Sequence, residues 1–245
     1  FRLEKGASLS LTWKLTGGDR EGTCVLAAYY ELAEDARLHV SRLESGLTKA
    51  IIYDQRHSVL AARARADFYA AELGGEKIIV HSYGKLSGDA SEMNERAIYA
   101  GRGRQHLDFF YHIDHVGKKT KAEIDLKGAL ADESKKIFRG TLDFKRGCAG
   151  SVGDEGDFAI QLDPKTKNIS LPLLLCTEDD VQGNHASSAG QLDQNTIYFL
   201  MSRGFTLEEA RRIVVEALIR PIIDGMDETI REEVLTAVRE KLDRE

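Results

Sequence analysis

Apolar–polar alternation, repeated in short runs up to about residue 192, is the feature that most limits what this chain can become. Ser8-Leu9-Ser10-Leu11-Thr12-Trp13, Arg37–Val40, Ala66–Leu73, Lys77–Tyr83, Leu107–Ile113, Ala122–Leu126, Gly140–Phe144 and Phe158–Leu162 all follow it. Period 2 places successive side chains on opposite faces, which describes strands with one buried face. Gly, Asp, Asn and Ser fill the gaps, as turns require, and only three prolines occur to interrupt a ladder.

Many short strands build either a sandwich or a solenoid. Three features favour the solenoid. The chain has one Trp, and the turns between runs lack the Asn-Gly and Asp-Gly pairs that close tight hairpins. Similar phrases, Lys127-Gly128-Ala129 and Arg146-Gly147-Cys148-Ala149, also recur at steps of roughly 20 residues, as stacked coils would. The expected architecture is therefore all-β, a parallel β-helix over residues 1–192, followed by a small α-helical segment over residues 193–245.

The tail has its own signals. Ile197-Tyr198-Phe199-Leu200-Met201 runs into Ser202-Arg203-Gly204, with Gly204 placed to stop a helix. Thr206-Leu207-Glu208-Glu209 is a capping box, and Ala210, Ile213, Val214, Ala217 and Leu218 follow as one apolar stripe. That helix is expected to bend or end before Pro221. A last amphipathic helix carries Ile230, Val234, Leu235, Val238 and Leu242. Both stripes need cover, from the solenoid's open end or from a partner.

Composition removes several functions. Hydrophobic residues are 42% and charged residues 30%, ordinary for a folded chain. A net charge of -6 argues against a nucleic-acid groove, and the runs Lys118–Lys121 and Arg102–Arg104 read as solvated turns. Cys24, Cys148 and Cys176 form no CxxC pair, so neither a disulfide framework nor a zinc ribbon is indicated. Reduced thiols, with no long apolar span and no signal-like start, point to a cytoplasmic protein.

Two constellations could carry chemistry. In His112-Ile113-Asp114-His115, alternation puts His112 with Asp114 and turns His115 to the other face. The plainer reading is a polar strand edge with ordinary surface histidines. The second is Cys176, Glu178 and His185, where thiolate, carboxylate and imidazole together suit a metal such as iron. Against it, a Cys beside three leucines is usually a small buried hydrophobe, and Glu178-Asp179-Asp180 a solvated turn. No GxSxG, HExxH or P-loop pattern is present.

Three stretches carry a family resemblance: Phe138-Arg-Gly-Thr-Leu142; Asn168–Leu175 with Glu178–Val181 and His185–Asp193; and Ile197–Phe205 followed by Glu209-Ala210. Over roughly residues 120–225 the chain resembles the SufB/SufD scaffold proteins of the SUF iron–sulfur cluster assembly system. The resemblance implies a right-handed parallel β-helix, a C-terminal helical domain that docks an ABC-type ATPase (SufC), and dimerisation through the β-helix. Nascent iron–sulfur clusters would then form at the dimer interface, on a scaffold that is not itself an enzyme. His185 matches the SufD-type histidine, with Cys176 and Glu178 as further metal ligands that depart from the usual SufD pattern. The SufB-type cysteine would fall near Gly156 and is absent. Arg203, Gly204 and Phe205 match the turn that opens the helical tail, and are the expected partner-binding residues. The pattern is similar to the compact scaffold of minimal two-component systems, as a homodimer or a SufB/SufD-type heterodimer. A secreted β-helix polysaccharide lyase or hydrolase is the alternative from another class, disfavoured by 7% aromatic residues.

Overall fold

A computed structural model describes residues 1–243, leaving the last two positions of the expected 193–245 segment outside the described residues. In chain order the strands are β1 (Arg2–Leu3), β2 (Ser8–Leu15), β3 (Gly22–Leu32), β4 (Arg37–Glu44), β5 (Ala50–Leu60), β6 (Arg65–Glu72) and β7 (Lys77–Leu86). They continue with β8 (Glu92–Gly101), β9 (His106–His115), β10 (Lys121–Leu130), β11 (Lys135–Phe144), β12 (Ser151–Gln161), β13 (Lys167–Cys176) and β14 (Val181–Gly190). Odd-numbered strands form one parallel sheet in sequence order, and even-numbered strands form a second. Each consecutive pair is one coil of a flattened parallel β-solenoid, as the alternation predicts.

Register shows the true period. Lys77 pairs with His106, His106 with Lys135 and Lys135 with Lys167, so like positions stack coil upon coil. Contacts between adjacent coils join residues 27, 28, 29 or 31 apart. The expected 20-residue step is therefore too short; it compared Lys127–Ala129, inside β10, with the corner at Arg146–Ala149.

The corners explain why the period is hard to see. After β3, β5, β7 and β9 the chain turns through a left-handed residue other than glycine: Asp35 (φ 61°), Arg63 (φ 56°), Ala90 (φ 56°) and Lys119 (φ 55°). Most residues avoid this conformation, and glycine is its usual occupant. Here a backbone ladder holds it. The Asp35 amide donates to the Ala62 carbonyl (3.0 Å), Arg63 to Asp89 (2.9 Å), Ala90 to Lys118 (2.7 Å) and Lys119 to Ala149 (3.0 Å). Stacking thus supplies hydrogen bonds that offset the strain, and the sequence needs no fixed turn residue. Glycine is required where backbones touch: a Cβ on Gly117 would lie 2.3 Å from the Gly88 carbonyl oxygen in the coil below.

The interior between the sheets is apolar along most rungs, with Phe109, Tyr111, Ile113, Phe138, Leu142 and Phe144 buried together. Two ionic groups interrupt it. Arg56 is sealed among Asp54 and Glu72, and Lys136 pairs with Asp157. His115, expected at the surface, is fully buried and stacks on Phe144 (4.4 Å between centroids). Its face follows the alternation, but that face is the core, and burial pushes its pKa down to about 4.

Three helices follow, α1 (Gln194–Ser202), α2 (Leu207–Gly225) and α3 (Glu228–Leu242). Gly204 (φ 97°) follows the end of α1 as expected, and the capping box forms: Glu209 N donates to Thr206 Oγ1 (3.2 Å), Thr206 N to Glu209 Oε2 (2.7 Å). The buried stripe of α2 differs from the expected one. It runs Ala210, Val215, Ile219, Ile222 and Ile223, with Ile213 and Ala217 exposed. The helix also continues through Pro221, which lies on the exposed face, where water can satisfy the carbonyl that Pro221 leaves unpaired. With that extra turn included, the apolar face rotates towards the isoleucines. The stripes find cover on neither the open end nor a partner. Ile219, Ile222, Ile223, Ile230, Val234, Leu235 and Val238 pack on Leu43, Ala71, Leu73, Ile98 and Ala100, on the outer face of the even sheet.

Candidate functional site

The last coil has a neighbouring coil on one side only. β13 and β14 end their respective sheets, and β14 is exposed along nearly its whole length. Inward positions of β12 are Ser151, Gly153, Glu155, Asp157 and Ala159; their register partners on β14 are Val181, Gly183, His185, Ser187 and Ala189. A Cβ on Gly183 would meet Phe144 (3.2 Å) and Leu174 (3.4 Å), which confirms that this row faces the interior axis. His185 therefore stands one rung above Glu155, roughly 4.8 Å along the sheet, at the open mouth of the core.

Glu155 is the titratable group that distinguishes this mouth. It is only 4% exposed. Burial, with the nearby Asp157 charge adding, pushes its pKa up to about 7, against the Leu173 amide that favours the ionised form. Gly140 makes room for it, since any Cβ there would overlap its carboxylate and the Phe138 ring. One step along the strand, Asp157 (2% exposed) holds Lys136 (0% exposed), with Oδ2 2.6 Å from Nζ. Tyr99 and Phe138 rings lie 5.2 and 5.7 Å from the ammonium.

Cys176 closes β13 on the same open coil and is exposed, where the sequence suggested a buried hydrophobe. Its Sγ donates to the Glu178 carbonyl (2.9 Å). Glu178 has left the strand. Its carboxylate accepts from the Gly147 amide (2.7 Å) and the Asp179 amide (3.0 Å), bonds that hold its pKa below the usual range and pin the turn to the coil beneath. His185 lies four residues into β14 from Val181, roughly 13 Å along the strand at ~3.3 Å per residue. Cys176 and Glu178 thus share a corner, and His185 stands apart from them. One group of three His, Cys, Asp or Glu side chains able to surround an ion occurs among the described residues, and it contains none of these three.

Arg203 lies over the Phe199 ring (5.1 Å), Gly204 supplies the left-handed turn, and Phe205 is exposed. Around them Tyr198 (76% exposed), Phe199 (55%), Met201 (45%) and Leu207 (40%) form an uncovered apolar surface on α1 and the start of α2. Glu155, Lys136 and Asp157 are absent from the sequence-based candidates. The isolated strand Gly153–Ala159 offers only alternating acids, and nothing local shows that they point inward.

A parallel two-sheet solenoid with helices packed on one sheet and an uncovered final coil defines the class of elongated β-solenoid proteins. The comparisons with known proteins give that class its family. A family model described as "SUF system FeS cluster assembly, SufBD core domain" matches residues 1–218, and the chain belongs to that family. The chain is similar to the iron–sulfur cluster assembly protein SufD of Bacillus subtilis, 26% identical over 204 residues, covering 83% of this chain and 46% of the relative. A SufBD family protein of Mycobacterium leprae is 25% identical over 216 residues, covering 84% and 55%. SufD of Escherichia coli is 19% identical over 210 residues, covering 84% and 50%. The chain spans about half the length of these curated relatives.

Proposed function

We propose that this chain is a scaffold, not a catalyst, on which an iron–sulfur cluster is assembled at the open end of the solenoid. The observation that carries the reading is His185 standing in register over Glu155 at the uncovered mouth of the core, in a chain of the SufBD family. Imidazole and carboxylate are competent iron ligands, and Cys176 adds an accessible thiol on the same coil. An iron–sulfur cluster ordinarily takes four protein ligands, more than this separated set supplies. The cluster is cargo to be passed on, so an incomplete shell suits the role.

A second protomer would supply the rest. Ile169, Leu171, Leu173 and Leu175 form an outward apolar row on the terminal strand β13, 39–54% exposed. An unpaired strand edge with such a row is a template for association. Dimerisation through this end, with an identical or a SufB/SufD-type partner, brings two sets of ligands together. The uncovered surface of α1, including Arg203, Gly204 and Phe205, is the docking site for a SufC-like ABC ATPase, in the cytoplasm, where three unpaired cysteines stay reduced. Anaerobic reconstitution with ferrous iron and sulfide tests the reading. His185→Ala should keep its oligomeric state and lose most bound iron and labile sulfide. Wild-type cluster content in that variant removes His185 from the site. Tyr198→Ala with Phe199→Ala should lose ATPase co-purification at unchanged melting temperature, whereas deleting residues 206–245 would also strip the cover from Ile98 and Ala100.

A further inference from the structure

The outer face of the odd sheet carries a second cluster, which faces away from the core that His185 and Glu155 line, although Asp143 is the register partner of Leu175 on the final coil. Asp114 on β9 and Asp143 on β11 are register partners, both facing outward yet only 8% and 6% exposed. His112, two residues before Asp114, shares that face, and its Nε2 lies 3.0 Å from Asp114 Oδ1. One ligand atom from each of His112, Asp114 and Asp143 lies within 4.8 Å of the others. Two carboxylates side by side on adjacent strands repel one another unless a cation sits between them. Here the cation is Lys145, bonded to Asp143 and 3.4 Å from Asp114, from a side chain 44% exposed on a flexible stem. Lys85 is the further charged register neighbour of Asp114.

The surroundings are built to hold these ligands still. Tyr83 donates to Asp114 Oδ2, so Oδ1 is the oxygen turned to His112 and Lys145 at the shared centre. The Tyr83 ring stacks on His112 (5.3 Å, 26°) and, on its other side, on His57 (5.0 Å, 21°), which itself meets Tyr29 (5.9 Å). An aromatic column one ring per coil therefore fixes the imidazole plane, while the tyrosine hydroxyl fixes the carboxylate. Oriented first ligands with their own hydrogen-bonded and stacked supports are how metal sites are prepared.

We propose that His112, Asp114 and Asp143 form a binding site for a borderline first-row divalent cation, which enters by displacing the Lys145 ammonium. One nitrogen and two carboxylate oxygens suit Fe²⁺, Co²⁺ or Zn²⁺, with water completing the shell. Lys145 holds the site together without metal, and its loss on binding keeps the local charge balanced.

Tag-free protein titrated with Co²⁺ tests this by visible absorption and metal content. One Co²⁺ per chain should bind with the spectrum of nitrogen and oxygen ligands, unchanged in His185→Ala and Cys176→Ser, so the site is separable from the final coil. His112→Ala and Asp143→Asn should each weaken binding at least about tenfold, and Tyr83→Phe, which removes only a support, by about tenfold. Lys145→Met should bind more tightly than wild type. The proposal is overturned if His112→Ala and Asp143→Asn bind Co²⁺ as wild type does, or if Lys145→Met gains nothing.

Discussion

The buried pair Lys136–Asp157 offers a sharp test of how the solenoid core tolerates charge. Both groups are sealed, at 0% and 2% exposed, and burial holds the Lys136 pKa below its ordinary value despite the attraction of Asp157. Lys136→Met keeps the length of the stem and removes the ammonium. Asp157 is then a buried carboxylate without its counter-ion, two residues from Glu155 on the same inward row. Breaking such a pair from one side costs about 3–5 kcal/mol. Replacing both partners, as in Lys136→Met with Asp157→Leu, removes the desolvation cost as well and should restore stability to within ~1 kcal/mol of wild type. Urea denaturation of the two variants at neutral pH, compared at equal m-values, reads this directly. A Lys136→Met cost under about 1 kcal/mol would show that water reaches Asp157, and the account of a sealed core would fail. A double variant no more stable than the single would refute the charge argument in favour of lost packing.

Three other outcomes follow from the same geometry. Gly117→Ala drives a Cβ into the Gly88 carbonyl, so the stacked corner must open; a loss of about 1–3 kcal/mol is expected by thermal or urea melting, against almost none at Gly190, where a Cβ meets nothing and the backbone is not left-handed. Thr206→Ala removes the acceptor for the Glu209 amide and should cost about 1 kcal/mol, read as a lower melting temperature with the β-sheet signal unchanged. Glu155 has a folded pKa raised to about 7 from 4.5, so the unfolded chain ionises first and the folded state loses stability as pH climbs between those values. Glu155→Gln should therefore gain about 3 kcal/mol over wild type between pH 4.5 and pH 8, and a gain that does not change with pH would show that the carboxyl is not held neutral.

Much of the fold is legible because a strand with one buried face writes its period into any six or seven residues. The runs at Lys77–Tyr83 and Leu107–Ile113 needed no tertiary information and lie within β7 and β9. The strands β5 and β8 hide for a physical reason. Asp54, Arg56 and Ser58 occupy inward positions of β5, and Ile98 and Ala100 occupy outward positions of β8 that the helices cover. Both break the rule that polar means solvent. The coil length hides for another reason: corners at Asp35, Arg63, Ala90 and Lys119 share a conformation without sharing a residue type, because the hydrogen bonds that stabilise them come from the next coil.

The same logic separates what could be read of the site from what could not. His185 and Cys176 are visible as chemical types in a distinctive stretch, and both lie on the open coil. Glu155 is invisible in any local window, because its meaning depends on a partner 30 positions away, the spacing that also joins Asn184 to Asp154 in a 2.9 Å hydrogen bond. A solenoid turns sequence distance into adjacency at one residue per rung. Every inward column is therefore a candidate site whose members no linear motif can spell, as the outward column of Tyr29, His57, Tyr83 and His112 also shows. What singles out the column of Glu155 and His185 is position: it is the one whose top rung carries an imidazole where the ladder stops, so the group that would be core in any earlier coil is presented to whatever meets the end.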